Sequence, residues 1–486
     1  MYLTAILTIT FLAISSKILF AEVFRPIQIY LPGNIRGNLI TFTEDQKAES
    51  SEAFKIPYLI KFLSKQNKDK DSLVFGTGND SSFFKAFSYL TKGKTERELM
   101  YKCNPLAQAL SPNDLEVFND GLLEYKFKQR VFTNVESADE SNLIFKRYFK
   151  TKISKRNIYF FNFISPDYCN KLPLERWSQI KIDDPARALR KINPDLTKED
   201  FTLSVVYGDK AVIDELSNEL ARLNGIHFIV EVPLYDNSTP LFSTRHLVEN
   251  DRNIFRFSVK PGHEFLPILE IYPKNVGYPR VSFRSFPLKQ FDDNSYKNDF
   301  KNAWNQVRQE FHQPLRLVPI TNRPSTTPNR VSLQAHAQML KYATTSEIAF
   351  LKLPKQISFR ENVMTVGDAI TRFPNDRIIK FKATGTQIKN MFLSMLQDSS
   401  INDFGFAGCQ FSILGNQYWD FKICNNSANS NRRYNIATTE STANEFAVKK
   451  LLETSFVENY DGLTLWSVWI NNLHNFPAKE ENFFSN

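Results

Sequence analysis

Short apolar runs alternate along the chain with amphipathic stretches whose apolar positions recur at steps of three and four, the pattern of strands interleaved with helices. Ile27 to Leu31 reads as a first strand, turned by Pro32 and Gly33. Ser72 to Phe75 reads as a second, followed by the loop Gly76-Thr77-Gly78-Asn79-Asp80. Between them Phe54, Ile56, Leu59 and Leu63 lie on one face of a helix over 51–63, with Pro57 disturbing its start. Residues 84–90 and 96–110 read as helices, and 131–135, 145–151 and 157–164 as strands. The clearest unit is a strand at Phe201–Tyr207, a helix over 209–223 with Ile213, Leu216, Leu220 and Leu223 on one face, Gly225 as its stop, and a strand from His227 to Val232. Strand, helix and strand in that order predict a layered α/β domain.

Further on, Phe300, Trp304, Val307 and Phe311 form a stripe along a helix over 297–311. The proline-rich stretch 321–328 after it has linker composition and marks a domain junction. Beyond the junction, Ile348–Leu351 reads as a strand, Thr365 opens a short helix stopped by Pro374, and Ile378–Phe381 reads as another strand. Gly385 breaks that strand, and a helix to Leu396 carries Ile388, Phe392 and Leu396 on one face.

A length of 486 residues exceeds what one core organises, so two domains are expected. With 42% apolar residues, 23% charged and 43 phenylalanines, a disordered chain is excluded. Leu3 to Ile14 is apolar over the length of an export-signal core, and Ala21 is a small residue suited to cleavage before Glu22. Lys17 interrupts the stretch and argues against a retained membrane span. Four cysteines suit an oxidising compartment, and the expected bridges pair Cys409 with Cys424 and Cys103 with Cys169, the alternative being four thiols. The net charge of +9 raises nucleic acid as a partner, yet in the densest basic run, Lys146–Arg156, charges alternate with Tyr148, Phe149, Thr151 and Ile153. That alternation is a hairpin with one solvated face, so no specific nucleic-acid binding is expected.

Three pieces of the C-terminal half carry a family resemblance: Thr365 to Asp368, Phe373-Pro374-Asn375, and Thr384-Gly385-Thr386-Gln387-Ile388. Their order and spacing resemble the C-terminal domain of the 5'-nucleotidase family of secreted metallophosphoesterases, which includes 2',3'-cyclic phosphodiesterases. Phe132–Val135, Lys152–Pro166 and Asp184–Leu189 resemble pieces of that family's N-terminal domain. The resemblance implies an α/β fold (α+β overall): an N-terminal metallophosphoesterase-like β-sandwich with flanking helices, a helical linker and a C-terminal α/β domain. The corresponding division is a signal peptide over 1–21, a degenerate calcineurin-like metallophosphoesterase-type domain over 22–296, a linker over 297–330 and a C-terminal domain over 331–486. It also implies that the two domains move relative to each other, and that the chain is exported to a periplasm or cell surface.

Members of that family hydrolyse nucleotide phosphoesters with a pair of metal ions, whose ligands come as D-x-H, G-D, G-N-H-E, a lone His and G-H-x-H. Here the first block falls on Asn34 and Arg36, and the second on Gly78-Asn79, with Asp80 one residue on. The third falls on Asn119 to Glu124, with Gly121 for the catalytic His, the fourth on Tyr207, and the fifth on Val232 to Tyr235. No histidine precedes His227, and the six histidines show neither H-x-H nor H-E-x-x-H spacing. An oxygen-only set of Asp80, Asp120 and Glu124 is what remains for a hard cation such as Mg or Ca. The resemblance assigns substrate contacts to Arg360, in place of a missing loop arginine, and a base-stacking clamp to Phe404 or Phe406 against Phe446. The expectation is therefore a pseudoenzyme with no cofactor that binds a nucleotide, another small anion or a partner. The competing reading is an active phosphoester hydrolase with atypical ligands for a divalent metal pair.

Overall fold

A computed structural model describes residues 25–82, 84–116, 129–137, 146–153, 156–167, 180–232, 245–249, 252–273, 279–317, 330–353, 363–397, 399–414, 417–424, 426–427, 429–453 and 455–472. The signal segment, Cys169, Asp120, Glu124, Arg360 and the proline-rich stretch 321–328 lie outside them.

Two six-stranded sheets build the N-terminal half. The first runs Arg280–Pro287, Phe265–Tyr272, Ile27–Tyr30, Asp71–Gly76, Ala107–Ala109, Arg130–Val131, its last four strands mutually parallel. The second runs Arg245–Glu249, Arg252–Ser258, Ile226–Glu231, Phe201–Tyr207, Arg156–Ile164, Phe149–Ile153, with four central parallel strands. Ile27, Ile29 and Phe75 of the first sheet pack against Phe160, Leu203 and Phe228 of the second, and Phe75 stacks on Phe160 at 5.0 Å. Helices Pro185–Ile192 and Lys210–Leu220 cover the outer face of the second sheet. Buried on both faces, Phe201–Tyr207 is mainly apolar, as a central parallel strand tends to be, with Thr202 and Ser204 its two small polar residues.

Local chemistry explains the elements. Pro57 falls in the first turn of helix Ile56–Gln66, where its missing N–H has no intrahelical partner to lose, so it starts the helix rather than weakening it. Asp209 caps Lys210–Leu220 by accepting from Val212 N at 2.9 Å. The basic hairpin forms as expected, with Lys150 and Lys152 exposed and Phe149 and Ile153 leaning on the sandwich core. The helix expected over 96–110 forms only in part. The helix read over 96–110 is helix Lys94–Lys102 followed by the parallel strand Ala107–Ala109, separated by Asn104 in the left-handed region (φ 50°) and Pro105.

The helix Lys297–Phe311 leads to a five-stranded sheet ordered Phe404–Ala407, Ile348–Lys352, Arg433–Thr439, Arg377–Thr384, Phe456–Thr464. Thr365 and Asp368 form a capping box that opens helix Val366–Arg372. Gly385 opens helix Gly385–Gln397 where a Cβ would drive into the Asn429 carbonyl. Among the described residues no disulfide joins Cys409 to Cys424, and Cys103 is a thiol whose expected partner, Cys169, lies outside the described residues. Cys103 is buried and donates to the Leu99 carbonyl at 3.5 Å, while the Cys424 thiol turns to the Glu347 carbonyl at 3.6 Å. Among the described residues no helix is long and apolar enough to cross a membrane.

His336, on helix Arg330–Thr344, is buried against Phe373 and Trp469, its ring centroid 5.3 and 5.0 Å from theirs. Burial pushes its pKa down to about 3. The unfolded chain therefore takes up this proton below its ordinary value near 6.5, whereas the folded chain does not until about pH 3. Stability is full above that ordinary value and falls as the pH drops, by about 2 kcal/mol from this group between pH 6.5 and 5. Urea titrations at pH 7.5 and 5 should show the loss in the native chain, and a loss smaller by that amount in His336→Leu.

Candidate functional site

The loops that follow the parallel strands meet at one end of the sandwich, where α/β sheets place ligands. Residues 33–37 follow Ile27–Tyr30, and Asn34 N, Arg36 N and Gly37 N donate to the carbonyls of Gly78, Asn79 and Asp80 at 2.6, 2.8 and 2.8 Å. The two loops are thus laced together by main chain. Gly33 (φ 136°) and Gly78 (φ 70°) suit this backbone, and Asn34 and Asn79 (φ 57° and 58°) are the side chains that tolerate it. Arg36 adopts φ 57° without such tolerance, a strained position held by its surroundings.

The side chains of these loops bond to one another. Asn34 Oδ1 accepts from Arg36 Nε at 3.0 Å and from Asn79 Nδ2 at 2.8 Å. Asn79 Oδ1 accepts in turn from Asn113 Nδ2 at 2.8 Å, and Asn34 Nδ2 donates to the Lys260 carbonyl at 3.2 Å. All four, Asn34, Arg36, Asn79 and Asn113, are buried.

Below them Asp114 holds the second loop. Its carboxylate accepts from the main-chain N–H groups of Asn79, Asp80 and Ser81 at 2.6, 3.0 and 3.1 Å, and from the Ser81 hydroxyl at 3.1 Å. It also accepts from Ser111 N at 2.9 Å, while Ser111 Oγ takes Asp114 N at 3.1 Å, a reciprocal cap on the short helix Pro112–Glu116. Asp80 turns to the third strand, where its Oδ2 accepts from Gln108 Nε2 at 3.0 Å. Burial, then Asp114 and Glu96, hold the Asp80 carboxyl well above the usual carboxylate range, and burial pushes Glu96 up to about 7. Tyr207, at the end of its strand, donates its hydroxyl to the Thr77 carbonyl, and burial followed by Asp114 and Asp80 keeps that phenol protonated.

No protein-family model and no curated protein matches the chain. Solved structures do. The NAD nucleotidase of Haemophilus influenzae superposes with a TM-score of 0.62 at 13% identity, covering 93% of this chain and 96% of that one. The 5'-nucleotidase precursor of Thermus thermophilus gives 0.54 at 12% identity over 93% and 96%, and the 5'-nucleotidase of Candida albicans 0.50 at 10% over 93% and 98%. The fold is that of the 5'-nucleotidases. Asn34 with Arg36, Asn79 and Tyr207 come together at the mouth. After the third parallel strand come Leu110-Ser111-Pro112-Asn113-Asp114, and the block expected over 119–124 lies outside the described residues.

The sequence reading missed Asn113 and Asp114 because Ala107–Leu110 was taken for helix; the Ser111-x-x-Asp114 spacing of a helix start was the available signal. Asp80 is buried beside this network, and Asp120, Glu124 and Arg360 are outside the described residues. Phe404 and Phe406 are core rings on one strand, 5.9 Å apart, and Phe446 is 76% exposed. Lys352 lies over the Phe404 ring at 5.9 Å and pairs with Asp403 at 3.7 Å and Glu445 at 3.2 Å, so an ion pair bridges the approach to Phe404. Among the described residues no three His, Cys, Asp or Glu side chains converge as metal ligands.

Proposed function

We propose that this chain is an exported protein of 5'-nucleotidase fold whose mouth no longer holds a metal pair, and that it serves as a binding or interaction module. One observation carries the reading. The oxygens at the expected ligand positions, Asn34 Oδ1 and Asn79 Oδ1, are occupied by N–H donors from Arg36, Asn79 and Asn113. Amide oxygens already engaged by N–H donors, with a guanidinium among them, do not fit a divalent cation, which needs lone pairs facing it. A cation would have to displace these donors and sit against a fixed positive charge.

With no imidazole before His227, the mouth also lacks the proton-transfer groups that the family blocks supply. Phosphoester hydrolysis is so slow uncatalysed that the loss of both is not a matter of degree. The apolar Leu3–Ile14 segment supports export, to a periplasm or cell surface. The NAD nucleotidase and 5'-nucleotidases that share the fold support a nucleotide or another small anion as ligand class.

Purified protein is to be assayed on nucleoside monophosphates and an aryl phosphate, with Mn, Co or Zn added and with chelator. Turnover at background under every condition is expected; chelator-sensitive turnover would establish the hydrolase reading instead. Thermal stabilisation by AMP or phosphate then marks a ligand-binding cleft, and its absence assigns the chain to protein interaction.

A further inference from the structure

The resemblance predicts halves that move past each other, but the packing between them has another character. One unbroken apolar cluster runs from Leu59 and Phe87 in the N-terminal half, through Val307 and Phe311 of the connecting helix, to Leu340, Val366 and Trp466 in the C-terminal half. The hairpin Ile40–Ser50 reaches across. Phe42 stacks on Phe311 at 4.5 Å and meets Trp304 at 5.7 Å, while Gln46 Nε2 donates to Asp368 Oδ1 at 2.8 Å. At Gly367 the C-terminal half and the connecting helix come so close that a Cβ would drive into the Phe311 ring.

Three further contacts come from the loop and helix after the second strand. Arg377 lies 3.7 Å over the Phe84 ring. Tyr89 stands edge-on to Trp466 at 4.9 Å and donates its hydroxyl to Asn471 Oδ1 at 2.5 Å. We infer that the two halves form a single rigid body, and that this chain does not use domain rotation. Segments of a chain move freely where their interface is small and polar, and are fixed where it is large and apolar. Rotation here would strip Phe42 from Phe311 and Tyr89 from Trp466, and would open a core in which Trp466 is 1% exposed. Three clamps, Gln46 with Asp368, Phe84 with Arg377 and Tyr89 with Asn471, join different pairs of elements, so yielding at one leaves two in place. Any ligand therefore meets a cleft of fixed width.

The test is independent of the metal question. Nitroxide labels on Lys65→Cys and Lys449→Cys, both exposed positions, in a Cys424→Ser background report the distance between the halves by pulsed electron resonance. One narrow distribution is expected, unchanged by AMP or phosphate and unchanged in Gln46→Ala. A second distance, or a shift on adding either compound, overturns the inference. Calorimetry of the unlabelled chain checks it separately: one cooperative transition, displaced as a whole in Trp466→Ala, is expected, and two transitions of which only one moves would contradict it.

Discussion

Asp114→Ala is expected to be the most damaging single substitution at the mouth. It removes the acceptor for three consecutive main-chain N–H groups, those of Asn79, Asp80 and Ser81, in a region where water cannot replace it. It also uncaps the helix that presents Asn113. A buried donor left without an acceptor costs about 1–3 kcal/mol, so the three together should cost at least about 3 kcal/mol. Asp114→Asn keeps one oxygen but turns an N–H towards other N–H groups, and should lose nearly as much. Guanidinium titrations read both. A loss under about 1 kcal/mol in the alanine variant would mean that something other than this carboxylate holds the loop.

Gly262→Ala comes next. Gly262 N donates to the Asn34 carbonyl at 2.9 Å, and a Cβ at Gly262 would drive into the Gly33 carbonyl, which is main chain and cannot swing aside. The variant must separate the two loops or stay unfolded. Overpacking of a rigid site costs about 1–3 kcal/mol, and the upper end is expected because the Asn34 hydrogen bond is lost as well. A melting temperature within a degree of the native chain's would show that these loops are free to part.

Much of this architecture could be read before any coordinates. Phe201–Tyr207 with its capped helix and Ile226–Glu231, and the stripe on Lys297–Phe311, stand where the periodicity placed them, because each buries a complete face. Ala107–Ala109 was not legible. Three residues with no β-branch carry too little pattern to be told from the end of a helix, and only pairing with Phe75 and Gly76 on one side and with Arg130 and Val131 on the other makes them a strand.

The mouth was legible in part. Asn34, Arg36 and Asn79 could be named from the resemblance, as the positions of the family's first two ligand blocks, whereas Asn113 depended on the misread strand. Phe404, Phe406 and Phe446 show the opposite difficulty. In a chain with 43 phenylalanines a motif cannot tell a clamp from a core, and burial puts the first two in the core. The expected pairing of Cys409 with Cys424 misled for a similar reason: Cys409 stands opposite Ile423, and the neighbouring Cys424 thiol faces the Glu347 carbonyl, a register that spacing along the chain does not reveal.

At the mouth everything turns on whether Arg36, Asn34, Asn79 and Asn113 have closed over the place of a metal pair. Elemental analysis of the purified chain, dialysed after saturation with Mn, Co and Zn, measures this directly. The predicted result is well under one equivalent of any of the three per chain, with no change on chelation. One or two equivalents retained, and removed by chelator, would contradict it.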